Sequence, residues 1–185
     1  PVAAAILEGQ LQTGVSLMLL DEGMDTGPIL AQSVPIDLSG RERRSELQAL
    51  LFKEAEPLLS GTLAELQLGT VTPVVQDNAA ASFTQLLRRS DGEIEWTASA
   101  VHIERMVRAY DIWPGTFTTW NGKKVKILYS KLMDGTETNP GHVTFRSGHL
   151  SVSTGAGLLE IIQLQLEGRQ AALAADFVRG HPQID

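Results

Sequence analysis

The segment Gly14-Val-Ser-Leu-Met-Leu-Leu-Asp-Glu-Gly-Met-Asp-Thr-Gly-Pro28 joins an apolar run to an acidic, glycine-containing turn. The run from Val15 to Leu20 has almost no polar alternation, which predicts a strand covered on both faces, as in the sheets of α/β proteins. The carboxylates of Asp21, Glu22 and Asp25 follow this strand directly. Ligands of open α/β sheets bind beyond the carboxyl ends of strands, so the turn is a candidate functional site. Physical chemistry alone still favours a plain turn, because Asp and Gly are common turn residues.

The turn Asp21-Glu-Gly-Met-Asp-Thr-Gly-Pro28, with Ile-Leu-Ala-Gln-Ser-Val-Pro35 after it, resembles the active-site loop of formyltransferases that use 10-formyltetrahydrofolate. Within that superfamily, later segments are similar to methionyl-tRNA formyltransferases, and they extend the resemblance over essentially the whole chain. These segments are Arg-Ala-Tyr-Asp-Ile-Trp-Pro-Gly115, Leu164-Gln-Leu-Glu-Gly-Arg-Gln170 and Asp176-Phe-Val-Arg-Gly180. The resemblance implies an enzyme of translation initiation, which transfers a formyl group from 10-formyltetrahydrofolate to the amino group of initiator methionyl-tRNA.

The resemblance also implies roles for residues of the acidic turn. The family's catalytic aspartate matches Asp25, where it works with an asparagine and a histidine that precede it. A carboxylate beside a histidine favours the charged ring. Asp21, Glu22 and Gly23 would shape the folate end of the pocket. No matching asparagine and histidine precede Asp25 in this chain, and its start at Pro1 resembles the end of a helix, so we expect an inactive fragment of a longer enzyme.

Composition narrows the remaining classes of protein. The 185 residues are 43% hydrophobic with a net charge of −7, which argues against DNA binding or a broadly basic nucleic-acid surface. The sequence contains no cysteine, and its four histidines lack metal-ligand spacing, so we predict no metal. It shows no signal peptide and no apolar run of the roughly 20 residues that a membrane helix needs. These features predict a soluble cytoplasmic protein without membrane contact.

The first part of the chain has the pattern of mixed helices and strands. A short helix is expected over Pro1–Glu8 and a second strand over Ile29–Ile36. Ser39-Gly-Arg-Glu42 has the spacing of a capping box, which predicts the start of a long helix that ends near Leu68. Pro57 interrupts this helix and predicts a kink or restart, since a proline inside a helix costs about 3 kcal/mol.

Residues 70–82 lose all periodicity and are expected to form an extended connector. The chain therefore divides into residues 1–69, a linker over 70–92, and residues 93–185. In terms of the resembled family, the first part is an α/β fragment of a Rossmann-like formyltransferase domain. The resemblance implies that the last part is an OB-like β-barrel domain that binds tRNA.

A helix is predicted to open the second part. Thr97 is a candidate cap, and the apolar stripe of the helix ends at Tyr110. Off this stripe, Arg105 and Arg108 are expected to be solvated. Trp113 precedes Pro-Gly and is expected to pack at a corner rather than to stack on a base.

Residues beyond Gly115 alternate like β-strands. Asn121-Gly122 is a strong hairpin signal. Five short runs separated by tight turns predict a small closed barrel, which matches the OB-like domain that the resemblance implies. The runs are Thr116–Trp120, Lys123–Leu132, His142–Arg146, His149–Thr154 and Leu158–Gln165.

Basic residues are few, so any contact with tRNA must be a local patch. Lys124 and Lys126 alternate with Val125, Ile127 and Tyr129, which predicts that both lysines share the outer face of one strand. The predicted tRNA-binding residues are Arg88, Arg89, Lys123, Lys124 and Lys126. A solvated strand face is the plain alternative for the lysines.

Other functions stay open at this point. Within the same superfamily, the chain could belong to a sugar-nucleotide formyltransferase or to the hydrolase part of a formyltetrahydrofolate dehydrogenase. In a different class, it could be a non-enzymatic RNA-binding module.

Overall fold

The computed structural model describes residues 1–135 and 139–184. The first part contains α1 (Val2–Glu8), β1 (Gln12–Thr13), β2 (Ser16–Met18), β3 (Ile29–Gln32), β4 (Ile36–Asp37) and α2 (Arg44–Leu68). The second part contains α3 (Ala100–Ala109), β5 (Thr116–Trp120), β6 (Lys123–Met133), β7 (Val143–Arg146), β8 (His149–Ser153), β9 (Leu158–Leu166), β10 (Ala172–Leu173) and α4 (Ala174–Gly180). Both parts together form a mixed α/β fold with one large sheet.

The strands of the first part are short and antiparallel. β2 pairs with β3, and β1 pairs with β4, so the prediction of a strand over Val15–Leu20 covered on both faces is wrong. Leu19 and Leu20 lie beyond β2 and are exposed. The reason is the connection between β2 and β3, which is too short for the crossover of a dozen or more residues that parallel strands require.

Helix α2 begins later than the sequence suggests. Glu42 accepts hydrogen bonds from the backbone N–H groups of Ser39 (2.6 Å) and Gly40 (3.0 Å), which closes a turn before the helix rather than its first turn. The capping box predicted over residues 39–42 is therefore misplaced. The carboxylate that reaches back at the true start of α2 is that of Glu46, which accepts the N–H of Arg43 at 3.1 Å.

Pro57 lies inside α2 without ending it, so the predicted restart is not observed. Its ring faces solvent, where water can bind the carbonyl left without its usual partner one turn earlier. Gly69 then ends the helix in the left-handed conformation (φ 68°). Among the described residues, no helix has the length and apolar character needed to cross a membrane.

Helix α3 carries the predicted apolar stripe into the protein core. Ile103, Met106, Val107 and Tyr110 are all buried, as expected. The cap is Ser99 rather than Thr97, because the Ser99 side chain accepts the N–H of His102 at 3.2 Å.

The expectation that Arg108 is solvated is wrong. Its side chain is buried between two parts of the chain, where it forms a bidentate pair with Glu104 (2.7 and 2.9 Å) and donates to the carbonyl oxygen of Glu42 at 2.9 Å. A buried guanidinium is stable here because its donors meet a carboxylate and a carbonyl. Arg105 is half-buried and approaches the carbonyl of Leu7 at 3.5 Å.

The large sheet has the strand order β5-β6-β9-β8-β7, and β10 pairs with Gln163 and Leu164 of β9, past the residues that pair with β8. Asn121 and Gly122 form the predicted hairpin turn with φ angles of 48° and 74°, and Trp120 pairs with Lys123. In the described ranges the outer strands β5 and β7 do not pair, so the closed barrel predicted from five short strands is not found and an OB-like barrel is not confirmed. The free edge of β5 is covered instead by Ile94, whose N–H donates to the carbonyl of Phe117 at 2.8 Å.

Two apolar clusters hold the fold together. The larger lies between the sheet, α3 and α4, and includes Ile103, Leu159 and Phe177. The smaller joins α1 and α2 to the other side of α3, where Ile6 and Leu47 pack with residues of that helix. Helix α3 therefore belongs to both clusters and connects the two parts of the chain.

Candidate functional site

The acidic turn forms the loop between β2 and β3. Asp25 is exposed on this loop and adopts a left-handed backbone conformation (φ 58°), which is uncommon outside glycine but tolerated by Asp and Asn. Gly27 is buried at the exit of the loop, where a Cβ atom would lie 1.8 Å from the carbonyl oxygen of Leu19. The loop therefore needs glycine at this position.

Asp21 organises the loop from within. Its Oδ1 atom accepts hydrogen bonds from the backbone N–H of Gly23 (3.0 Å) and from the hydroxyl of Thr26 (2.7 Å). A turn of this kind is what physical chemistry alone favoured for the segment. Glu22 and Asp25 are exposed beside it, so their carboxylates face solvent while that of Asp21 holds the turn.

The connector contributes a residue to the loop that sequence patterns did not indicate. Val74 exchanges two backbone hydrogen bonds with Ile29 of β3, both 2.8 Å long. Two residues later, the side-chain amide of Gln76 donates to the carbonyl oxygens of Asp25 (2.9 Å) and Gly27 (2.6 Å). A glutamine in an aperiodic segment has no signature in a single sequence, which is why this contact was missed.

The predicted lysine patch lies on β6. Lys126 is exposed and Lys124 is half-buried. Val125 and Ile127, which alternate with the lysines along the strand, are buried, as predicted. The ammonium of Lys124 lies 3.8 Å above the centre of the Phe117 ring, a cation–π contact that anchors its side chain. A cavity of about 250 Å³ opens beside both lysines and is also lined by residues 165–168.

The alternation on β6 does not continue to Tyr129. Shifts in register occur on both sides of this residue where β6 pairs with β9, so Tyr129 is exposed rather than inward. Its ring lies 4.2 Å from the guanidinium of Arg43, which comes from the start of α2. An irregular strand pairing cannot be read from alternation alone.

The predicted basic residues lie on two different elements, the lysines on β6 and the arginines at a short turn before α3. Lys123 is exposed at the hairpin end of β6. Arg88 and Arg89 lie at a short 3-10 turn over Arg89–Gly92, where the N–H of Arg88 donates to Asp91 at 2.7 Å. Neither arginine lines the cavity beside Lys124.

A second charged group lies elsewhere on the sheet. The buried carboxylate of Glu160 contacts Lys131 (3.0 Å) and the Nδ1 atom of His149 (2.7 Å). Burial alone would raise the pKa of Glu160, but the hydrogen bonds and positive charges of these two partners hold it below its ordinary value. Glu160 therefore neutralises positive charge on Lys131 and His149 that could otherwise attract an anionic partner.

A cavity of about 910 Å³ lies between α1, α2 and residues 83–87. Its lining is largely apolar and includes Leu7, Phe52 and Phe83. Asp25 does not belong to this lining, so the acidic loop and the apolar cavity are separate features.

Family models match both parts of the chain. Residues 1–60 match the model described as formyl transferase, and residues 86–182 match the model described as formyl transferase, C-terminal domain.

Curated relatives carry the more specific name that the resemblance implied. A methionyl-tRNA formyltransferase from Roseiflexus sp. (strain RS-1) is 44% identical over 182 residues, covering 97% of this chain and 56% of the relative. The chain thus spans little more than half the length of the curated relatives it matches.

Solved structures share the fold at low sequence identity. HypX from Aquifex aeolicus in complex with tetrahydrofolic acid has a TM-score of 0.71 at 18% identity, covering 96% of this chain and 32% of the HypX chain. A methionyl-tRNA formyltransferase from Clostridium thermocellum has a TM-score of 0.53 at 20% identity, with 88% of this chain and 61% of that chain covered. The family models and the curated relatives show that the chain belongs to the formyl transferase family.

Proposed function

We propose that the protein containing this chain transfers a formyl group from 10-formyltetrahydrofolate to the amino group of initiator methionyl-tRNA, in the cytoplasm and at the start of translation. The observation that carries this proposal is the identity of 39–44% to methionyl-tRNA formyltransferases along nearly the whole chain. Because this chain covers only part of those relatives, the activity is proposed for the full-length protein and not for residues 1–185 alone.

Asp25 is the proposed catalytic residue of this chain. Its carboxylate is exposed, and its main-chain carbonyl is held by Gln76, so the side chain is free to accept a hydrogen bond from a reacting partner. A carboxylate in this position can orient a histidine ring and stabilise the ring when it takes up the proton of the attacking amine. The resemblance assigns the histidine, and the asparagine that stabilises the oxyanion, to other residues of the enzyme.

The residues around Asp25 fit a folate. Leu20 and Met24 are 90% and 87% exposed, which leaves apolar surface on the loop for a flat ring to cover. The carboxylates of Asp21 and Glu22 can accept hydrogen bonds from ring N–H groups. When bound, 10-formyltetrahydrofolate supplies the electrophilic formyl carbon, and this chain's part is to bind and orient.

The lysine face of β6 is the proposed contact for tRNA, together with Lys123, Arg88 and Arg89. Support comes from Lys124 and Lys126, which share one outer face beside a cavity. In this proposal the sheet serves as an OB-like platform for the acceptor arm of the tRNA. The division into residues 1–69, a linker over 70–92 and residues 93–185 also belongs to the proposal, and the two family models on either side of the linker support it.

The test uses purified full-length protein with 10-formyltetrahydrofolate and either methionyl-tRNA or a dTDP-linked amino sugar. We expect formyl transfer to methionyl-tRNA and none to the sugar nucleotide. Transfer to the amino sugar alone would overturn the proposal in favour of a sugar-nucleotide formyltransferase. Binding of tRNA without transfer to either acceptor would overturn it in favour of an RNA-binding module.

A further inference from the structure

We propose that Gln76 is a positioning residue for the Asp25 loop, and that it sets the place of the catalytic carboxylate through the backbone. The inference rests on the proposed function for its effect on catalysis. Its structural basis is independent of that function, because it follows from contacts between the connector and the loop.

The Gln76 amide has as many N–H donors as there are loop carbonyl oxygens within its reach. A side-chain amide nitrogen carries two N–H donors. Those of Gln76 meet two carbonyl oxygens of the loop, at 2.9 Å for Asp25 and 2.6 Å for Gly27. The same nitrogen lies 3.7 Å from the sulfur of Met18 at the end of β2. One side chain therefore reaches from Met18, at the end of the strand that enters the loop, to Gly27, two residues before the strand that leaves it.

Gln76 is itself held in place. The reciprocal hydrogen bonds between Val74 and Ile29 fix the connector to β3 two residues earlier. Gln76 is also half-buried, whereas most of the connector around it is exposed. The backbone that carries this amide is thus anchored to the same strand that leaves the loop.

Asp25 depends on this contact more than its neighbours do. Asp21 holds Gly23 and Thr26, and the N–H of Leu19 donates to the carbonyl of Pro28 at 3.0 Å. Asp25 lies inside both of these closures in a left-handed conformation, with its side chain in solvent. The hydrogen bond from Gln76 reaches the main-chain carbonyl of Asp25 directly, so losing it removes a constraint on the backbone that carries the carboxylate.

Small displacements of a catalytic group are costly, since catalysis depends on near-attack geometry. A free Asp25 loop should therefore lower kcat more than it raises KM for methionyl-tRNA, because the tRNA is bound mainly elsewhere. A residue that served only general stability would instead lower the fraction of folded enzyme and leave kcat per folded molecule unchanged.

The experiment compares the full-length protein with Gln76→Ala, Gln76→Glu and the control Gln85→Ala. Gln85 is an exposed glutamine of the linker over residues 70–92, and the two loop carbonyls accept from Gln76 instead. Amide hydrogen exchange of the peptide over residues 19–29 is measured alongside kcat and KM. For Gln76→Ala we expect the exchange rate of this peptide to rise roughly tenfold. The rise is limited because each lost hydrogen bond contributes only modestly to stability in water. We expect kcat to fall about tenfold with KM within about twofold, and parent-like values for Gln85→Ala.

Gln76→Glu tests whether the hydrogen bonds that the amide donates are what holds the loop, while the comparison of kcat with KM tests the effect on catalysis. The introduced carboxyl can donate one hydrogen bond when protonated and none when ionised. Its exchange defect should therefore shrink as the pH falls and grow as the pH rises, whereas that of Gln76→Ala should change little. This variant keeps the length of the side chain, so it still decides the question if Gln76→Ala fails to fold.

Parent-like exchange over residues 19–29 in both variants would overturn the proposal. So would faster exchange with an unchanged kcat, since the loop would then be loose without consequence for catalysis. If the parent transfers no formyl group at all, the proposed function fails, and exchange alone decides whether Gln76 holds the loop.

Discussion

Asp111 caps helix α2 from a distance of 66 residues along the chain, through Ser45. The carboxylate accepts the Ser45 hydroxyl at 2.5 Å and the Ser45 backbone N–H at 3.3 Å. Ser45 is the second residue of α2, where N–H groups have no partner within the helix. Arg43 forms an ion pair with the same carboxylate at 3.4 Å, and the side chain of Asp111 is only 7% exposed. The start of α2 is thereby fixed to the segment that follows α3.

Replacing Asp111 should destabilise the junction between the two parts of the chain. Loss of a helix cap typically costs about 1–2 kcal/mol, and Arg43 would also lose its partner. We expect Asp111→Ala to lower the free energy of unfolding by about that amount and Asp111→Asn by less, because the amide oxygen can still accept. Chemical denaturation measures both, with exposed Asp134→Ala as the control. Equal midpoints for the parent and Asp111→Ala would contradict the cap.

Asp25→Asn should separate catalysis from stability. Asparagine tolerates the left-handed conformation of residue 25, and the exposed side chain makes little contribution to packing. In the full-length protein we expect single-turnover formyl transfer to slow by about 100-fold or more, with an unchanged melting temperature. Glu65→Gln removes an exposed carboxylate from α2 and should leave the rate unchanged. A parent-like rate for Asp25→Asn would show that Asp25 is only a turn residue.

The lysine face should bind tRNA weakly and with a modest dependence on salt. A handful of phosphate contacts predicts a slope of log affinity against log salt of about −3 to −5. Changing Lys124 and Lys126 together to Ala should weaken binding and flatten this slope by about 2. Fluorescence anisotropy with tRNA across a salt series tests this, with Lys53→Ala on α2 as the control. Identical curves for parent and double variant would locate the tRNA surface elsewhere.

Limited proteolysis should cut the linker just after the connector rather than within it. The connector over residues 70–82 is held to the first part of the chain, because Val74 pairs with β3 and Gln76 contacts the Asp25 loop. Phe83 and Leu86 are 90% and 93% exposed in a stretch without regular structure. Limited chymotrypsin digestion should therefore cut first at these two residues. A first cut between residues 116 and 166 would instead place the weakest region inside the sheet.

Acid should destabilise the sheet through Glu160. Its pKa in the folded protein lies below the ordinary value of 4.5. The ionised form therefore contributes stability that is fully present above pH 4.5 and is lost as the pH falls through the lowered pKa. Glu160→Gln should lower the free energy of unfolding by about 1 kcal/mol near neutral pH, because His149 and Lys131 lose a charged acceptor. The loss is small because both partners are half exposed and water can replace the acceptor. The stability difference between the two proteins should shrink below pH 4.5. A constant difference from pH 7 to pH 3 would contradict this linkage.

The sequence by itself determined the features that depend on local chemistry. Gly9 and Gly69 end helices because only a residue without a Cβ atom adopts the left-handed conformation at little cost. Asn121-Gly122 fixes the β5–β6 hairpin because the turn needs positive φ at both positions, which glycine adopts freely and asparagine tolerates. Helical spacing identified the buried stripe of α3, and the acidic loop carried the family resemblance that the relatives confirm.

Only the tertiary structure decided the features that join residues far apart in the chain. The burial of Arg108, the cap from Asp111 to Ser45 and the hold of Gln76 on Asp25 each connect segments about 50 or more residues apart. Periodicity reports which face of an element is apolar, but it carries no information on which polar group from another element will meet it. The sheet is open for a similar reason. Ile94 covers the edge of β5, and strand lengths and turn residues do not indicate which segment will cover that edge.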